Sequence, residues 1–565
     1  MEKRTLLAVA ICMGILVLWW KIFPPPQPPA PQPPAEVSAA GASDETAPAS
    51  APATPEPAAG ASAGEGTAPA GETGVARRGP EELIELASPQ ARYVFSNWGG
   101  VLKQVYLKEE RFARREDEPA GRKDPAAVMN LRPGDTAPLA LSLPDGGVNL
   151  PEDIAWTVSR TGKDEVTFTA QTPQIEVQKR YRLTGDYRLE LEVVVHNRSE
   201  QPLSPKLALA LPGRQDPDRK GKGFWDIASA SLATLVCSVN DDVERRSLEA
   251  VVEEPVEFGG QGQPVRWIAS DDKYFAVAAV PHPSSVGQAR PRCSLRASDP
   301  NYGVATLTFG DKAIPPGGSL TYGLSLFAGP KYLANLDQVK PEGREVELRK
   351  VVDVTFAVLS RPLLHLLKLF HGWVGNWGLA IILLTVFVKL LTFYPTQKAM
   401  MSGRKMQRLA PKMQELRKKF ENDRQRLGVE TMSLYKQHGV SPLGGCLPTL
   451  ITMPIWIALF STLNYSVELH RAPFVAHIHD LSARDPYFVT PLLMGAIMVL
   501  QMRMSPAGAD PQQQKMMAIF MPIMFTGFSL FLPAGLALYT LTNSLLAILQ
   551  QLLVNHLDRK HAAAT

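Results

Sequence analysis

Apolar residues concentrate at the two ends of the chain, and the region between them alternates between apolar and polar positions. An uncharged segment runs from Thr5 to Trp20, and long apolar segments follow Trp377. Residues 80–345 contain short runs such as Tyr187–Val195, in which every second residue is apolar. A period of two residues is typical of a half-buried β-strand. The pattern predicts a polytopic α-helical membrane protein with a large β-domain inserted in its chain.

Six runs within residues 80–345 have the length and alternation of antiparallel strands. They are Glu165–Ala170, Ile175–Leu183, Tyr187–Val195, Tyr274–Val280, Val304–Phe309 and Leu320–Phe327. Gly, Pro and Asp residues separate them, which favours a β-sandwich. The region contains no phosphate loop, no G-x-S-x-G motif and no H-E-x-x-H motif, so no pattern of an enzyme is present.

The first 23 residues have the pattern of a signal sequence. Lys3 and Arg4 precede the uncharged run, and Trp19 and Trp20 end it with side chains that favour the membrane interface. No small-residue cleavage site follows directly. The sequence therefore favours an uncleaved signal-anchor helix, and cleavage stays open as the alternative.

Residues 24–79 form a predicted linker between the anchor and the β-domain. They consist mainly of Pro, Ala, Gly, Ser and Glu, with almost no aromatic or β-branched side chains. Such a segment buries too little apolar surface to offset the entropy of an ordered backbone. We expect a disordered tether with a stiff, Pro-rich start.

The C-terminal part, residues 374–558, contains five apolar segments that predict the helices of a membrane core. We place them at residues 377–394, 444–466, 486–503, 516–532 and 535–556. A membrane span needs roughly 20 apolar residues, so the third and fourth segments are short. Pro533, Ala534 and Gly535 should turn the chain between the last two segments.

Residues 346–373 connect the β-domain to this core. They are mostly apolar but contain Arg361, His365 and Lys368. This mixture predicts an amphipathic helix that lies in the outer headgroups. A short core helix of the β-domain is the alternative.

The charges of the loops predict the orientation. Residues 396–440 are rich in Lys and Arg and poor in Asp and Glu, and such loops lie on the cytoplasmic side. The same rule puts both termini, including the short tail 559–565, in the cytoplasm. It puts residues 24–373 on the opposite side of the membrane.

Residues 396–440 should fold as a helical hairpin with an apolar and a charged face. Apolar residues recur at spacings of three and four along the first arm, which predicts an intramolecular seam. They are Met406, Leu409, Met413, Leu416 and Phe420. Pro411 should kink or split this arm. The basic residues that we expect to make contacts are Arg404, Lys405, Arg408, Lys412, Lys418 and Lys419. Topology and contact with anionic lipid explain their charge, and contact with ribosomal RNA or an emerging chain stays open.

Lys389 is the main candidate for a functional residue, because it lies inside an otherwise apolar segment. An ammonium group at that depth is costly unless it meets water, a counter-charge or headgroups. Thr385, Thr392 and Thr396 share its helix face and form a polar stripe. This stripe favours a hydrated groove open to the cytoplasm, and a lysine that reaches the inner headgroups is the alternative. Candidates for the same groove in the last segment are Tyr539, Thr540 and Asn543. Their alternative role is hydrogen bonding between helices.

The remaining composition gives few further signals. The formal net charge of +4 is small, so nothing indicates DNA binding. Cys237 and Cys293 lie in the β-domain, with no metal-binding spacing. They either pair in an oxidising compartment or are two separate small residues, and the second interpretation is favoured.

Short motifs rich in Gly and Pro run in order through the C-terminal part of the chain. They are Val374–Gly378, Tyr394–Pro395, Leu409–Met413, Ser441–Pro448, Met453–Pro454, Ala472–Phe474, Ile478–Ser482, Asp485–Pro486, Met521–Pro522 and Pro533–Leu536. With the anchor and the β-domain, they resemble the Gram-negative members of the YidC/Oxa/Alb family of membrane-protein insertases. This resemblance implies six transmembrane helices, of which five form the insertase core, and a periplasmic β-supersandwich domain.

The resemblance also implies a function. Its members receive nascent membrane proteins, alone or with the Sec translocon and its accessory subunits, and help them insert into the inner membrane, fold and assemble. The implied mechanism uses no cofactor and no covalent chemistry. It also implies transient ribosome contact through the hairpin, contact with membrane lipids and a monomer as the active unit.

The resemblance implies a positive residue at the centre of a groove, and Lys389 occupies that position, where relatives often carry Arg. The charge is kept, but the bidentate geometry of a guanidinium is lost. Thr385 and Tyr539 match groove-lining positions, and Thr540 stands where relatives can carry a second Tyr.

A secondary transporter and an intramembrane hydrolase are two other functions with their own sequence patterns. A secondary transporter that titrates Lys389 would predict inverted repeats, Gly-interrupted helices and further intramembrane carboxylates, and the sequence has none of these. An intramembrane hydrolase would need a nucleophile with a base. The residues that suggest a metal site are His470, His477, His479 and Asp480. The family resemblance implies a structural role for this motif.

Overall fold

The computed structural model describes most of the chain after residue 78. The described residues are 79–112, 128, 131–144, 148, 150–215, 232–259, 263–288, 290–310, 312–354, 356–421, 423–439, 447–504 and 511–564. The predicted anchor and all of the predicted linker except Gly79 lie outside these ranges. The described residues form a β-domain, residues 79–354, followed by a helical domain, residues 356–564.

The β-domain is built from antiparallel strands in three sheets. The strands are β1 (Leu83–Ala87), β2 (Ala91–Ser96), β3 (Val101–Leu107), β4 (Leu141–Ser142), β5 (Trp156–Arg160), β6 (Glu165–Gln171), β7 (Ile175–Gly185), β8 (Arg188–Asn197), β9 (Leu207–Arg214), β10 (Thr234–Val239), β11 (Asp242–Ser247), β12 (Val256–Gly259), β13 (Val265–Asp271), β14 (Phe275–Pro281), β15 (Arg292–Asp299), β16 (Tyr302–Phe309) and β17 (Ser319–Pro330). The sheets have the orders β1-β2-β3, β11-β10-β13-β14-β17-β8-β7-β6-β5 and β12-β15-β16-β9-β4.

The six predicted strands are confirmed as β6, β7, β8, β14, β16 and β17. Strand β8 illustrates why the alternation was informative, since Leu189, Leu191, Val193 and Val195 are buried and the residues between them are not. Inward-facing residues of the three sheets meet in one continuous apolar core. Burial of these side chains is the main favourable term for the β-domain.

The prediction that Cys237 and Cys293 are separate residues is wrong, because a disulfide joins them. Cys237 lies on β10 of the nine-stranded sheet, and Cys293 lies on β15 of the five-stranded sheet. Both side chains are fully buried. The sheets pack face to face here, which brings together two residues that are 56 positions apart in the chain.

Short helices of the β-domain are α1 (Leu248–Glu253), α2 (Pro283–Gln288) and α3 (Leu333–Leu336). The helical domain contains α4 (Ala357–Val374), α5 (Trp377–Leu391), α6 (Phe393–Arg408), α7 (Ala410–Lys419), α8 (Arg424–Gln437), α9 (Leu447–Tyr465), α10 (Val489–Met504), α11 (Pro511–Ser529) and α12 (Ala534–Ala564). By length and composition, the segment Ala534–His556 is the one described helix that can cross a membrane. Shorter apolar helices are Trp377–Leu391, Val489–Met504 and Ile519–Ser529. The five-span core stays a prediction.

Two predicted helix breaks are confirmed. Helix α6 ends at Arg408, and Pro411 lies in the first turn of α7, where its missing N–H costs no helical hydrogen bond. The chain also turns between α11 and α12 at Pro533. These breaks divide the basic segment into α6 and α7 and the last apolar region into α11 and α12.

Helices α4, α5, α9 and α12 share a second apolar core. The loop between α9 and α10 contributes to it, and we call residues 466–488 the outer loop. At its contact with α5, the ring of Phe474 lies against Gly378, where a Cβ atom would stand only 2.0 Å from the ring. Only glycine permits this close approach.

Candidate functional site

Helix α5 positions Lys389. The helix starts at Asn376, whose side-chain oxygen accepts a hydrogen bond of 3.1 Å from the backbone N–H of Leu379. Lys389 lies in the last turn and is half-buried. Within the part of the chain that the structure describes, its ammonium group makes no ion pair and no hydrogen bond.

The threonines of the polar stripe, from α5 to the first turn of α6, are hydrogen-bonded to the preceding turn of their own backbone. The hydroxyl of Thr385, which is 2% exposed, donates to the carbonyl of Ile381 at 2.7 Å. Thr392 donates to the carbonyl of Val388 at 2.8 Å, and Thr396 donates to that of Thr392. Their hydroxyl protons are therefore not available to a bound chain, and Lys389 is the unsatisfied donor of the stripe.

Helix α12 packs directly against α5 and carries the other groove candidates. Tyr539 is buried in the apolar core that also contains Leu384 of α5. Thr540 is half-buried and donates to the carbonyl of Leu536 at 2.9 Å, and Asn543 is half-buried. The helix packing thus places these candidates on the neighbour of the helix that carries Lys389.

The sequence interpretation missed Gln550, a buried polar residue of α12 that is 4% exposed. Its side-chain N–H donates to the carbonyl of Phe393 at 3.3 Å, and its side-chain oxygen has no partner among the described residues. Phe393 follows Lys389 by one helical turn. Tyr539, Asn543 and Gln550 have the spacing i, i+4, i+11, which is that of Thr385, Lys389 and Thr396. This matching periodicity was the signal that could have found Gln550.

The basic hairpin of α6, α7 and α8 exposes most of the predicted contact residues. Those whose side chains are exposed are Lys405, Arg408, Lys412, Lys418 and Lys419; the side chain of Arg404 lies outside the described ones. Leu409 and Met413 of the predicted seam are buried. The ring of Phe420 lies 5.6 Å from the ammonium of Lys419 and 5.8 Å from the guanidinium of Arg426. The arrangement leaves a cationic surface over a small apolar seam.

The histidines of the outer loop have structural partners. His470 stacks on Tyr274 of the β-domain, with ring centroids 4.4 Å apart. His477 lies 3.1 Å from the carboxylate of Asp485, and the carboxylate of Asp480 accepts hydrogen bonds from the backbone of Arg471 and Ser482. Among the described residues, no group of three or more His, Cys, Asp or Glu side chains has the arrangement of a metal site.

Two protein-family models match the chain, and they meet within α4, just after the junction between the β-domain and the helical domain. The model of the YidC periplasmic domain matches residues 83–366, and the model of the 60Kd inner membrane protein matches residues 369–561. Together they cover both the β-domain and the helical domain.

Curated relatives match over the full length. A membrane protein insertase YidC of Syntrophus aciditrophicus is 34% identical over 98% of this chain and 99% of its own. One of Anaeromyxobacter dehalogenans is 36% identical over 100% of this chain and 98% of its own. A crystal structure of an active YidC insertase with its first transmembrane domain resolved is 18% identical, covers 84% of this chain and 93% of that one, and has a TM-score of 0.33. The chain therefore belongs to the family of YidC membrane protein insertases, a non-enzymatic family of membrane proteins, and has their periplasmic domain.

Proposed function

We propose that the insertase receives its clients in a hydrated groove between α5 and α12, open to the cytoplasm and centred on Lys389. The observation that carries this proposal is the half-buried ammonium group of Lys389, which has no partner among the described residues. Gln550, whose side chain donates to the carbonyl of Phe393 and whose side-chain oxygen has no partner among the described residues, extends the polar surface. Thr392, Thr540 and Asn543 line the remainder, and Thr385 and Tyr539 form the buried layer behind it.

A groove of this kind lowers the main barrier to insertion. Moving polar peptide groups into hydrocarbon without compensating hydrogen bonds costs several kcal/mol for each group. Water and a fixed cation reduce this cost for a hydrophilic or acidic tail, because they replace part of its hydration. The apolar parts of the client then pass along the helices into lipid.

Short helices add to the effect. Helix α5 contains 15 residues and α10 contains 16. At about 1.5 Å per residue, helices of this length span less than the roughly 30 Å hydrocarbon core of a bilayer. Thinning of the membrane around them shortens the distance that a polar segment must cross.

Our proposed topology has six transmembrane helices in the inner membrane, both termini in the cytoplasm and residues 24–373 in the periplasm. The basic hairpin supports this orientation, because exposed Lys and Arg residues concentrate in it. Helix α4 lies in the outer headgroups. It buries Leu364 and Leu367 in the helical domain, whereas Val358 and Trp373 are 87% and 69% exposed.

The proposed partners follow from these surfaces. Nascent membrane proteins occupy the groove, and the cationic face of the hairpin contacts the ribosome transiently and anionic lipid permanently. The Sec translocon and its accessory subunits act beside the insertase for larger clients. One copy of the chain is the active unit, and no cofactor takes part.

The test of the groove is the insertion of a short, Sec-independent client with an acidic translocated tail. Lys389→Ala should reduce its insertion into proteoliposomes at least fivefold, because the attraction for the tail is lost. Lys389→Arg should retain insertion. Lys398→Ala removes an exposed cation of α6 and is the matched control.

A second client with a neutral tail sharpens this test. Its insertion should fall less in Lys389→Ala, since only the acidic tail gains from the charge. Equal insertion of the acidic client by the parent and Lys389→Ala would remove the charge from the mechanism. Crosslinks from positions 385, 389 and 539 to a ribosome-stalled client provide an independent map of the groove.

A further inference from the structure

The outer loop closes one end of the helical domain. Leu469, Ala472, Ile478 and Leu481 are buried in the apolar core that also contains Tyr539. The loop therefore covers the side of this core that lies away from the basic hairpin. Its position depends on what holds it there.

Aromatic rings of the β-domain surround one side chain of the outer loop. The imidazole of His470 stacks on Tyr274 with an angle of 27° between the rings. Its centroid lies 5.8 Å from that of Phe275 and 6.0 Å from that of Phe112. Three rings from the β-domain thus hold a ring that belongs to the outer loop.

Hydrogen bonds surround this aromatic contact. The ammonium group of Lys273, which is buried, donates to the side-chain oxygen of Asn464 at the end of α9, at 3.0 Å. In the opposite direction, the guanidinium of Arg471 donates to the carbonyl of Phe112 at 3.3 Å. Burial lowers the pKa of Lys273 to about 8, while the carboxylates of Asp272 and Asp480 act to raise it. Asp480 belongs to the outer loop, so a carboxylate of the outer loop attracts the ammonium group of Lys273 in the β-domain.

Glu468 joins three parts of the molecule. Its buried carboxylate forms an ion pair of 2.5 Å with Lys368 of α4 and accepts a hydrogen bond of 2.6 Å from Ser466. Its carbonyl accepts a hydrogen bond of 3.3 Å from Arg111 of the β-domain. The interfacial helix, the outer loop and the β-domain therefore meet at one residue.

The backbone of the outer loop is held in an uncommon conformation. Arg471, Ala476 and Phe488 have φ angles of 55°, 52° and 56°, in the left-handed region. Such residues persist only where their surroundings determine the conformation. The contacts described above supply this constraint at Arg471.

We propose that the periplasmic β-domain serves as a brace that clamps the outer loop over the helical domain and keeps its periplasmic end closed. The clamp consists of Phe112, Lys273 and Tyr274 in the β-domain and Glu468 and His470 in the outer loop. This inference rests on the orientation and the cytoplasmic groove proposed above. It gives the β-domain a mechanical role at the periplasmic end of the helical domain, which is to hold the outer loop in place.

The test measures whether a buried residue of the outer loop becomes accessible from the periplasm. Ala472→Cys is the reporter, in a full-length chain with Cys12→Ser and Cys446→Ser and with the disulfide intact. A membrane-impermeant maleimide is added to right-side-out spheroplasts. Tyr274→Ala should increase the labelling rate at least tenfold, and Glu468→Gln should increase it by a smaller factor.

Two controls separate the clamp from general destabilisation. Tyr274→Phe keeps the ring that stacks on His470 and loses the hydroxyl, which donates to the carbonyl of Asn464 at 3.5 Å, so its labelling rate should lie between those of the parent and Tyr274→Ala. Tyr302→Ala removes a tyrosine whose contacts, with Arg214 and Thr136, lie within the β-domain, and it should label at the parent rate. Parent-like labelling in both Tyr274→Ala and Glu468→Gln would overturn the brace. Raised labelling in Tyr302→Ala equal to that in Tyr274→Ala would also overturn it.

A second reporter tests the groove independently. Asn543→Cys is labelled from the cytoplasmic side in inverted vesicles, where the groove predicts reaction in the parent and in Tyr274→Ala alike. Protection of Asn543→Cys, with raised labelling of Ala472→Cys in Tyr274→Ala, would contradict the groove and leave the clamp standing. Reaction of Asn543→Cys, with no response of Ala472→Cys, would contradict the brace alone.

Discussion

Lys179 of the β-domain and Lys389 of the helical domain are two cations in apolar surroundings, with opposite environments. Lys179 is fully buried, and its ammonium group donates to the carbonyls of Gly99 at 3.0 Å and Leu139 at 2.7 Å. The ring of Trp156 lies 5.6 Å from it. Lys389 is half-buried and has neither an ion pair nor a hydrogen bond among the described residues.

The difference distinguishes a structural lysine from the lysine that we propose to act in insertion. A buried donor that meets two carbonyls has its hydrogen bonds satisfied and ties three segments of the β-domain together, although burial still disfavours its charged form. A half-buried donor without such partners has an uncompensated desolvation free energy, and hydrogen bonds to water or a bound client would offset it. Burial alone would have ranked Lys179 above Lys389 as a functional candidate.

Removal of the disulfide should cause the largest loss of stability in the β-domain. It should have little effect on the environment of Lys389 in the helical domain. Cys237→Ala with Cys293→Ala frees a loop closed over 56 residues, which corresponds to about 4 kcal/mol of unfolding free energy in the chain-entropy account. Urea unfolding of the full chain, followed by tryptophan fluorescence, measures the loss. Reduction of the parent should reproduce it, and an unchanged midpoint in both would contradict a disulfide that stabilises the β-domain.

The next largest effect is expected at Lys179, which should make the free energy of unfolding rise with pH. Burial lowers the pKa of Lys179 to about 7, from 10.5 in an exposed lysine. Between these values the unfolded chain binds the proton and the folded chain does not, so the folded state gains stability as pH increases. The gain from pH 7 to pH 9.5 is about 3 kcal/mol by linkage.

The variant Lys179→Met checks this assignment. It should be more stable than the parent at pH 7 and should lose most of the pH dependence, measured by urea unfolding at both pH values. Lys273→Met should remove a smaller part of the pH dependence of stability, because burial lowers the pKa of Lys273 only to about 8. A parent profile that is flat between pH 7 and pH 9.5 would show that Lys179 is stabilised in its charged form.

The smallest effect is expected at Thr385. Thr385→Val keeps the shape of a buried side chain whose hydroxyl already donates to Ile381. Insertion of the acidic-tailed client should fall by less than about twofold, as judged against Thr392→Val, which has the same type of helix bond. A large loss in Thr385→Val alone would mean that its oxygen contacts the client, and the polar stripe would then act as a unit with Lys389.

Local periodicity was sufficient for much of the fold. Strand β8 followed from its alternation of residues, and the break before α7 followed from Pro411, because both depend on neighbours in the chain. The disulfide did not follow, since it depends on how two sheets face each other. The clamp was also invisible in the sequence, because Lys273 and Asn464 are 191 residues apart.

The candidate site was predictable only in part. Lys389 was a candidate because a charge in an apolar segment stands out, and its role stays a prediction. Gln550 was missed because it is uncharged and lies in a long apolar helix, where its burial against Phe393 depends on the packing of α12 on α5. The roles of the threonines differ from the expectation for the same reason, since a sequence gives the helix face but not the acceptor of each hydroxyl.

The contact of Phe474 with Gly378 restricts the route of a client. The ring occupies the space that any larger residue at position 378 would need, so the first turn of α5 and the outer loop are in close contact at this point. In the groove proposed above, a polypeptide would have to lift the loop to pass outward at this contact. The contact therefore favours a lateral exit between helices for a client of that groove.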